Sequence, residues 1–492
     1  MTGQRSDAAA AVLELATSIE RDLAGTPAAA TAAQVRTRLA GPLRVAIAGR
    51  VKAGKSTMLN ALVGERLAPT DAGECTRLVS WYERGDRYDV SARLRSGEQR
   101  TLQFDRREGA LDVRLNGLAE ADVERLEVRW PASTLERVTL IDTPGLASIN
   151  DENSRRTRDF LEADADNPSD ADAVIYLMRH LHRSDVDFLD AFMDRSVAAA
   201  SPVNAVAVLS RADEIGAGRL DAMTSAGRIA ERYATDDKVR VLCSHVVPIA
   251  GLLAETGLTL REEEVAAVRL LAATPAPELE RMLLSADQFM DLHVSELTVE
   301  QRGELLGRLG MFGVRLALEE LAKGATTAAA LGPVLVQYSG LERLRGLIGQ
   351  HFLPRARTLQ ARSGLVALRG IARDLAGRDP ATSDRIDRSV EQIEASAIEF
   401  ARLRAGHLVS TGTARFPEAD RVELERLFLG TGPAAALGLD ANPSADAVRS
   451  AAQGAVQRWR TKATNPLADR TVVEVCEIAA RSAEALYVGA SR

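Results

Sequence analysis

A chain of 492 residues exceeds one ordinary domain and leaves room for two or three folding units. Aromatic residues are only 4%, and a formal charge of −7 with a pI near 5.6 lacks the basic surplus that binding to phosphate backbones requires, so no nucleic-acid partner is expected. Three dispersed cysteines, Cys75, Cys243 and Cys476, exclude a disulfide framework and a zinc ligand set and suit a reducing cytoplasm.

Val12, Leu15, Ile19 and Leu23 recur at helical spacing until Gly25-Thr26-Pro27 interrupts them, and a second helix is predicted to end near Leu39. Asp7 and Glu14 break the N-terminal alanines, so no signal peptide is expected there. No stretch offers the roughly 18 apolar residues of a membrane span, so any membrane contact would come from the side.

The texture changes at Gly41-Pro42. Residues 43–49 (LRVAIAG), 137–143 (RVTLIDT), 172–178 (DAVIYLM), 203–209 (VNAVAVL) and 239–249 (VRVLCSHVVPI) are apolar runs of the kind found in strands buried on both faces. Residues 78–85 and 88–97 alternate and are predicted as antiparallel edge strands. Helical patterns separate the later runs, which implies a doubly wound α/β domain. Beyond about residue 256 only helical patterns follow. Thr298 to Gln301 and Ser339 to Glu342 read as capping boxes. Ile386, Val390, Ile393, Ala397 and Phe400 form a coiled-coil-like seam, and Val472, Val475, Ala479 and Leu486 form another apolar stripe.

Between the first apolar run and the next helix lies Gly49-Arg50-Val51-Lys52-Ala53-Gly54-Lys55-Ser56, a match to G-x-x-x-x-G-K-[ST]. The glycines let backbone N–H groups turn inward around a phosphate, and the N-terminus of the following helix, at Thr57, adds its dipole. Lys55 is expected to neutralise β and γ phosphates, and Ser56 to ligate Mg²⁺. Asp142 to Gly145 (DTPG) closes the second long apolar run: Asp142 is placed to hold the Mg²⁺ shell and the Gly145 N–H to sense a γ-phosphate. Thr76, 20 residues after Ser56 in a polar loop, is expected to bring its hydroxyl to Mg²⁺ and its carbonyl towards the attacking water. At the end of the fourth run, Ser210-Arg211-Ala212-Asp213 stands where a base reader of the form [NT]-K-x-D belongs. Asp213 can accept from guanine N1–H and the 2-amino group; adenine offers neither donor and would leave the carboxylate unpaired, which disfavours an ATPase. Arg211 takes the place of the usual lysine, and Ala250-Gly251 is the candidate loop for the guanine oxygen.

The order of these motifs, followed by a long helical half, resembles the bacterial dynamin-like proteins. APTDAGECTR (68–77), SRADEIGAGRLDAM (210–223), RLGMFGVR (308–315) and SGLERLRGLI (339–348) are similar in particular to a mycobacterial, isoniazid-inducible branch of that family. The resemblance implies an α/β P-loop GTPase head at 41–255, a helical extension at 256–352, an all-α trunk at 353–492, and N-terminal helices at 1–40 that join the neck bundle. It further implies Mg²⁺-dependent GTP hydrolysis, nucleotide-dependent homodimerisation of heads or hetero-assembly with a related dynamin-like protein, and membrane remodelling at the inner face of the cytoplasmic membrane. Eukaryotic dynamins carry a glutamine and a serine where this chain has Val51 and Lys52, so their catalytic helper is missing. Hydrolysis is then expected to be slow and to rest on Mg²⁺, Lys55 and the Thr76 backbone. Lys52 is either a charge donor, acting across a head dimer, or a solvated loop lysine.

Phe428, Leu429, Leu437 and Leu439 flank a Gly-Pro break near Phe428–Leu439; the favoured reading returns these residues to the bundle core, and the competing one makes them a tip that contacts anionic lipid. The basic stretch 458–463 reads as a solvated helix face. His180 and His182 lack a third metal ligand, and His293, His351 and His407 read as isolated structural residues. A soluble switch GTPase, with the helical half as a protein-binding surface, is the alternative reading.

Overall fold

The computed structural model describes residues 7–68, 78–107, 110–144, 170–181, 185–186, 189, 204–240, 242–430 and 432–490. Helices α1 (Ala8–Asp22) and α2 (Pro27–Ala40) are followed by β1 (Leu43–Gly49) and α3 (Lys55–Val63). Strands β2 (Ser80–Arg84), β3 (Asp89–Leu94), β4 (Gln99–Thr101), β5 (Gln103–Arg107), β6 (Ala110–Arg114), β7 (Val123–Trp130), β8 (Val138–Asp142), β9 (Ala173–Met178), β10 (Ala205–Ser210) and β11 (His245–Ile249) complete the α/β part. Nine of them form one sheet in the order β11-β10-β9-β1-β8-β2-β7-β3-β4, and β5 pairs with β6.

The long apolar runs build the parallel centre. β1 lies between β8 and β9, and β10 joins β9 to β11, all parallel. Both faces are covered: Val45 and Ile47 point into one core with Met58 and Leu59 of α3, and Ala46 and Ala48 into another with Ala230 and Val239. The last run does not extend back to Val239. A short helix spans Asp237–Arg240, and β11 begins only at His245. Val239, Leu242 and Cys243 owe their apolar character to packing beneath the sheet, which a turn achieves as well as a strand.

The two alternating segments are interior strands, contrary to their reading as edges. β2 pairs antiparallel with β8 and parallel with β7, and β3 lies between β7 and β4. Two of their polar positions, Ser80 and Ser91, are buried rather than solvated: Ser91 Oγ accepts from Gln99 of the edge strand β4 (2.9 Å), which also donates to the buried Glu127 Oε2 of β7 (3.0 Å).

The helical half has three packing centres. One joins helices within 251–339 around Leu253, Phe289 and Phe312. A second packs α1 and α2 on the long helix Ala356–Leu375 and on Pro380–Ser396. The third is the trunk, formed by Ile398–Ser410, Glu418–Leu429, Ala445–Ala463 and Arg470–Gly489. The seam from Ile386 to Phe400 is buried throughout, but Ala397 is extended (φ −75°, ψ 111°) and splits it between two helices. Thr298 and Gln301 form the expected reciprocal cap. Ser339 does not cap with Glu342: it ends its own helix, and its Oγ accepts from the Leu341 N–H at 3.1 Å. At the head end, buried Asp172 ties the pieces together, pairing with Arg38 (2.7 Å) and accepting from the Arg44 N–H and the Ser363 hydroxyl.

Candidate functional site

The C-terminal ends of the parallel strands form the crevice in which a doubly wound sheet places its ligand. β1 ends at Gly49, whose φ of +148° and closeness to β9 exclude a side chain: a Cβ there would stand 2.4 Å from the Leu177 carbonyl oxygen. Gly54 caps α3 at φ +90° with open space where a Cβ would be, so the backbone alone lines the turn. Ala53 anchors the loop by burial, while Val51 and Lys52 stand exposed on its rim, Lys52 at φ +63°.

Lys55 is buried, and its Nζ donates to the carbonyls of Gly49 (3.2 Å) and Arg50 (3.4 Å). Burial pulls its pKa down, and the Asp142 carboxylate opposes that pull. Ser56 Oγ donates to Asp142 Oδ2 at 2.9 Å, so the first turn of α3 is joined to the end of β8. The other oxygen, Asp142 Oδ1, is buried without a hydrogen-bond partner, and burial raises the carboxyl's pKa against the pull of Lys55 and Ser56. Thr143 is buried and donates to the Ile47 carbonyl at 3.0 Å, which fixes the DTPG turn on β1. Thr76 and Gly145 lie outside the described residues, as do Cys75 and His182.

Asp213 sits on a short turn after β10, 7% exposed, and desolvation raises its carboxyl to about 6. Ser210 donates to the Met178 carbonyl at 3.3 Å, tying β10 to β9. Arg211 adopts a left-handed conformation (φ 52°) and pairs with Glu214 at 2.7 Å, which Arg179 also contacts. Ala250 is fully buried, and Gly251 stands over Thr57 and Met58 of α3. The structure therefore brings Gly49, Ala53, Gly54, Lys55, Ser56, Thr57, Asp142, Asp213 and Ala250 to one end of the sheet, with Lys52 on the rim.

Two features escaped the sequence reading. The helix Val299–Ala322 is broken at Gly310 (φ 61°, ψ 176°), which abuts Asp213: a Cβ there would be 3.6 Å from Asp213 Oδ2. Glu255, 2% exposed, pairs with Arg66 (2.8 Å) and lies 3.9 Å from Arg308, two residues before that break. Asn60 of α3 donates to Glu255 and accepts from the N–H groups of Leu67 and Ala68. RLGMFGVR was a visible signal for the first. The second joins residues far apart in the chain and left none.

The segment weighed as a lipid-binding tip packs into the core, as the favoured reading has it. Phe428 is 3% exposed within the trunk core, and Leu429 and Leu437 pack against that core. Arg402 donates to the Leu427 carbonyl at 2.7 Å and Arg355 to that of Leu429, so the C-terminal end of Glu418–Leu429 is capped by two arginines from earlier in the chain. Apolar residues beside a helix break here serve packing. His180 is exposed, and among the described residues no group of three or more His, Cys, Asp or Glu is arranged to hold a metal ion. His351 is not isolated; its ring lies 5.0 Å from that of His245.

The family model described as the Dynamin family matches residues 45–196. Over 457 residues the chain is 40% identical to the isoniazid-induced protein IniC of Mycobacterium tuberculosis (strain H37Rv), covering 92% of this chain and 91% of IniC. It is 28% identical over 173 residues to the bacterial dynamin-like protein of Nostoc punctiforme, covering 33% of this chain and 23% of that one. A solved structure of an oligomerised bacterial dynamin pair aligns with 98% of this chain and 90% of its own at 12% identity and a TM-score of 0.33.

Proposed function

Because the chain belongs to the family of IniC and the bacterial dynamin-like GTPases, we propose that it uses GTP hydrolysis to remodel the cytoplasmic membrane from its inner face. The observation that carries the site is the Asp142 carboxylate, with one oxygen held by Ser56 and the other buried and unpartnered beside Lys55. A divalent cation fits that arrangement: Ser56 and Asp142 would hold Mg²⁺, with Thr76 as a third contributor. When bound, the ion neutralises charge on the β and γ phosphates.

The chain's own residues do the rest. Lys55 exchanges the carbonyls of Gly49 and Arg50 for phosphate oxygens, and the N–H groups of the Gly49–Ser56 turn close around the β-phosphate. Asp213, ionised, accepts from the guanine edge, and the Ala250 backbone meets the guanine oxygen. Arg211, held by Glu214, flanks the base. Gly145 N–H senses the γ-phosphate, and the Thr76 carbonyl orients the attacking water. Lys52, exposed on the rim, supplies positive charge to a second head across a nucleotide-dependent dimer, or to a related dynamin-like partner.

No helix among the described residues is long and apolar enough to cross a membrane. Lipid contact in this reading falls to the loop 464–469. Lys462 pairs with Asp420 at the start of the helix Glu418–Leu429, so this loop lies at the end of that helix opposite its Arg355 cap. Leu467 there is 92% exposed.

Co-sedimentation with anionic liposomes, with and without a non-hydrolysable GTP analogue and alongside GTP turnover, tests the reading. Nucleotide-dependent pelleting with lipid-stimulated turnover is expected, and Lys52→Ala should lower that turnover while sparing GDP affinity. GTP hydrolysis with no lipid association in any nucleotide state would replace membrane work with the soluble-switch reading.

A further inference from the structure

The opposite end of the sheet also borders a cavity. At the start of β11, roughly 17 Å along the strand from Ala250, a cavity of about 1050 Å³ opens where head, neck and trunk meet. Ser244 and His245 reach it from the head, His351 from the helical extension, and Arg355, His407 and Arg426 from the trunk. His351 lies in a π-helical turn, Ile348–Phe352, a rare backbone form that recurs at functional positions.

The hydrogen bonds fix the donors. Ser244 Oγ donates its one hydrogen to the Ala205 carbonyl (3.1 Å), so both imidazole nitrogens that meet it must donate: His351 Nε2 at 3.0 Å and His245 Nδ1 at 3.1 Å. His351 Nδ1 then accepts from Arg355 Nη1 at 3.3 Å, which makes that ring neutral. Positive charge accumulates here without an answer. Arg355 otherwise bonds only to the carbonyls of His351 and Leu429, and among the described residues neither Arg355, Arg343 nor Arg426 has a carboxylate within ion-pair distance. The one acid on the wall, Glu425, is already paired with Arg421 at 2.5 Å. His407 Nδ1 is buried without a partner. Desolvation, with Arg402 nearby, draws Arg355 down to about 10, and burial, reinforced by Arg343 and Arg355, holds His245 below the usual histidine value.

Uncompensated guanidinium groups in a walled cavity are costly, and a counter-anion offsets that cost. We propose that the cavity at the head–neck–trunk joint binds a phosphate-bearing anion, held by Arg355 and Arg426 with His245. A single carboxylate balances one of these two cations; a multiply charged phosphate group balances both, and its oxygens suit the guanidinium fork. All three parts line the cavity, so the ligand binds one arrangement of them and stabilises it by mass action.

His245 faces Arg343, Arg355 and His351 directly, with His407, the Arg421–Glu425 pair and Arg426 across the cavity. An entering anion reverses the field at His245 and favours its protonation. Affinity therefore rises as pH falls, by up to about tenfold per unit between the free and bound titration points.

The test uses the full chain saturated with GDP, which fills the Gly49–Ser56 loop. Pyrophosphate is titrated calorimetrically at pH 7.5 and 6.5, and short-chain phosphatidylglycerol below its micellar concentration forms a second arm. We expect one further stoichiometric site that is tighter at pH 6.5. It should weaken about tenfold or more in Arg355→Gln, lose its pH dependence in His245→Gln, and survive Lys55→Ala. Arg426→Gln serves if Arg355→Gln loses its contact with the Leu429 carbonyl. Binding of pyrophosphate alone identifies a soluble phosphate ligand; binding of the lipid alone identifies a headgroup. No site beyond that of GDP for either probe, or a site indifferent to Arg426→Gln and His245→Gln, overturns the proposal.

Discussion

Ser56 Oγ lies 2.9 Å from Asp142 Oδ2, so the phosphate helix and the DTPG strand are joined before nucleotide arrives. The partnerless Asp142 Oδ1 is what makes this contact more than a structural tie. Asp142→Asn keeps the shape and removes the charge. GTP turnover should fall on the order of 10²-fold, as for other charge-stabilising groups, while GDP affinity in EDTA stays near wild type. Magnesium-titrated turnover checks this; an unchanged magnesium dependence removes Asp142 from the metal shell.

Asp213 gives a pH signature. Its carboxyl is raised to about 6 from 3.8, and guanine requires the ionised form. GDP affinity should be flat above about pH 6.5 and fall below 6, approaching tenfold per unit. The same shift acts on stability in the opposite direction. The folded state holds the proton more tightly than the unfolded one, so the nucleotide-free fold weakens as pH rises from 3.8 through 6. The cost, complete above that window, is about 3 kcal/mol by the usual conversion. Fluorescent GDP titrations from pH 5.5 to 7.5 read the first effect. Asp213→Asn should transfer preference to xanthosine nucleotides.

Two glycines in one helix should respond oppositely to alanine. Gly307 has open space around its missing Cβ, and Gly307→Ala should stabilise by up to about 1 kcal/mol. Gly310 holds φ 61°, ψ 176° beside Asp213, and Gly310→Ala should cost about 1–3 kcal/mol. It should also weaken GDP binding, because the break defines the wall next to the base. Denaturant melts with and without GDP separate the two effects.

The parallel centre and the phosphate loop were legible because each rests on a local rule. A strand buried on both faces is an unbroken apolar run, and a turn that cradles phosphate needs glycines at fixed spacing. β4 to β7 were not legible, since their exposed arginines, and Gln99 bonded to Glu127 and to Ser91 of β3, imitate a solvated surface. Phe428 was ambiguous for a related reason: an apolar residue before a glycine looks the same at a tip as in a joint, and its burial with the Arg355 and Arg402 caps decides for the joint.

Glu255 links α3 to the broken helix through buried charge. Glu255→Ala leaves Arg66 and Arg308 facing each other without their shared carboxylate, and about 3–5 kcal/mol of stability should be lost. Arg66 opens the stretch that leads to Thr76, so turnover should fall further than GDP affinity. Chemical denaturation and a comparison of kcat with GDP Kd test this, and equal losses in both would leave Glu255 a purely structural residue.

Leu467→Asp should reduce liposome pelleting several-fold and leave the melting temperature within about 2 °C, because the side chain is almost wholly exposed. Phe428→Asp, by contrast, should unfold the trunk. Pelleting unaffected by Leu467→Asp moves the lipid surface elsewhere.

The packing of α1 and α2 on Ala356–Leu375 sets an order of events during synthesis. Val12, Ile19 and Val35 leave the ribosome more than 300 residues before the surface that buries them. At ~5–20 residues per second that is roughly a quarter of a minute to a minute. The whole head can fold in that interval while α1 and α2 wait with their apolar faces uncovered. These two helices precede the head in the chain and follow it in finding their place.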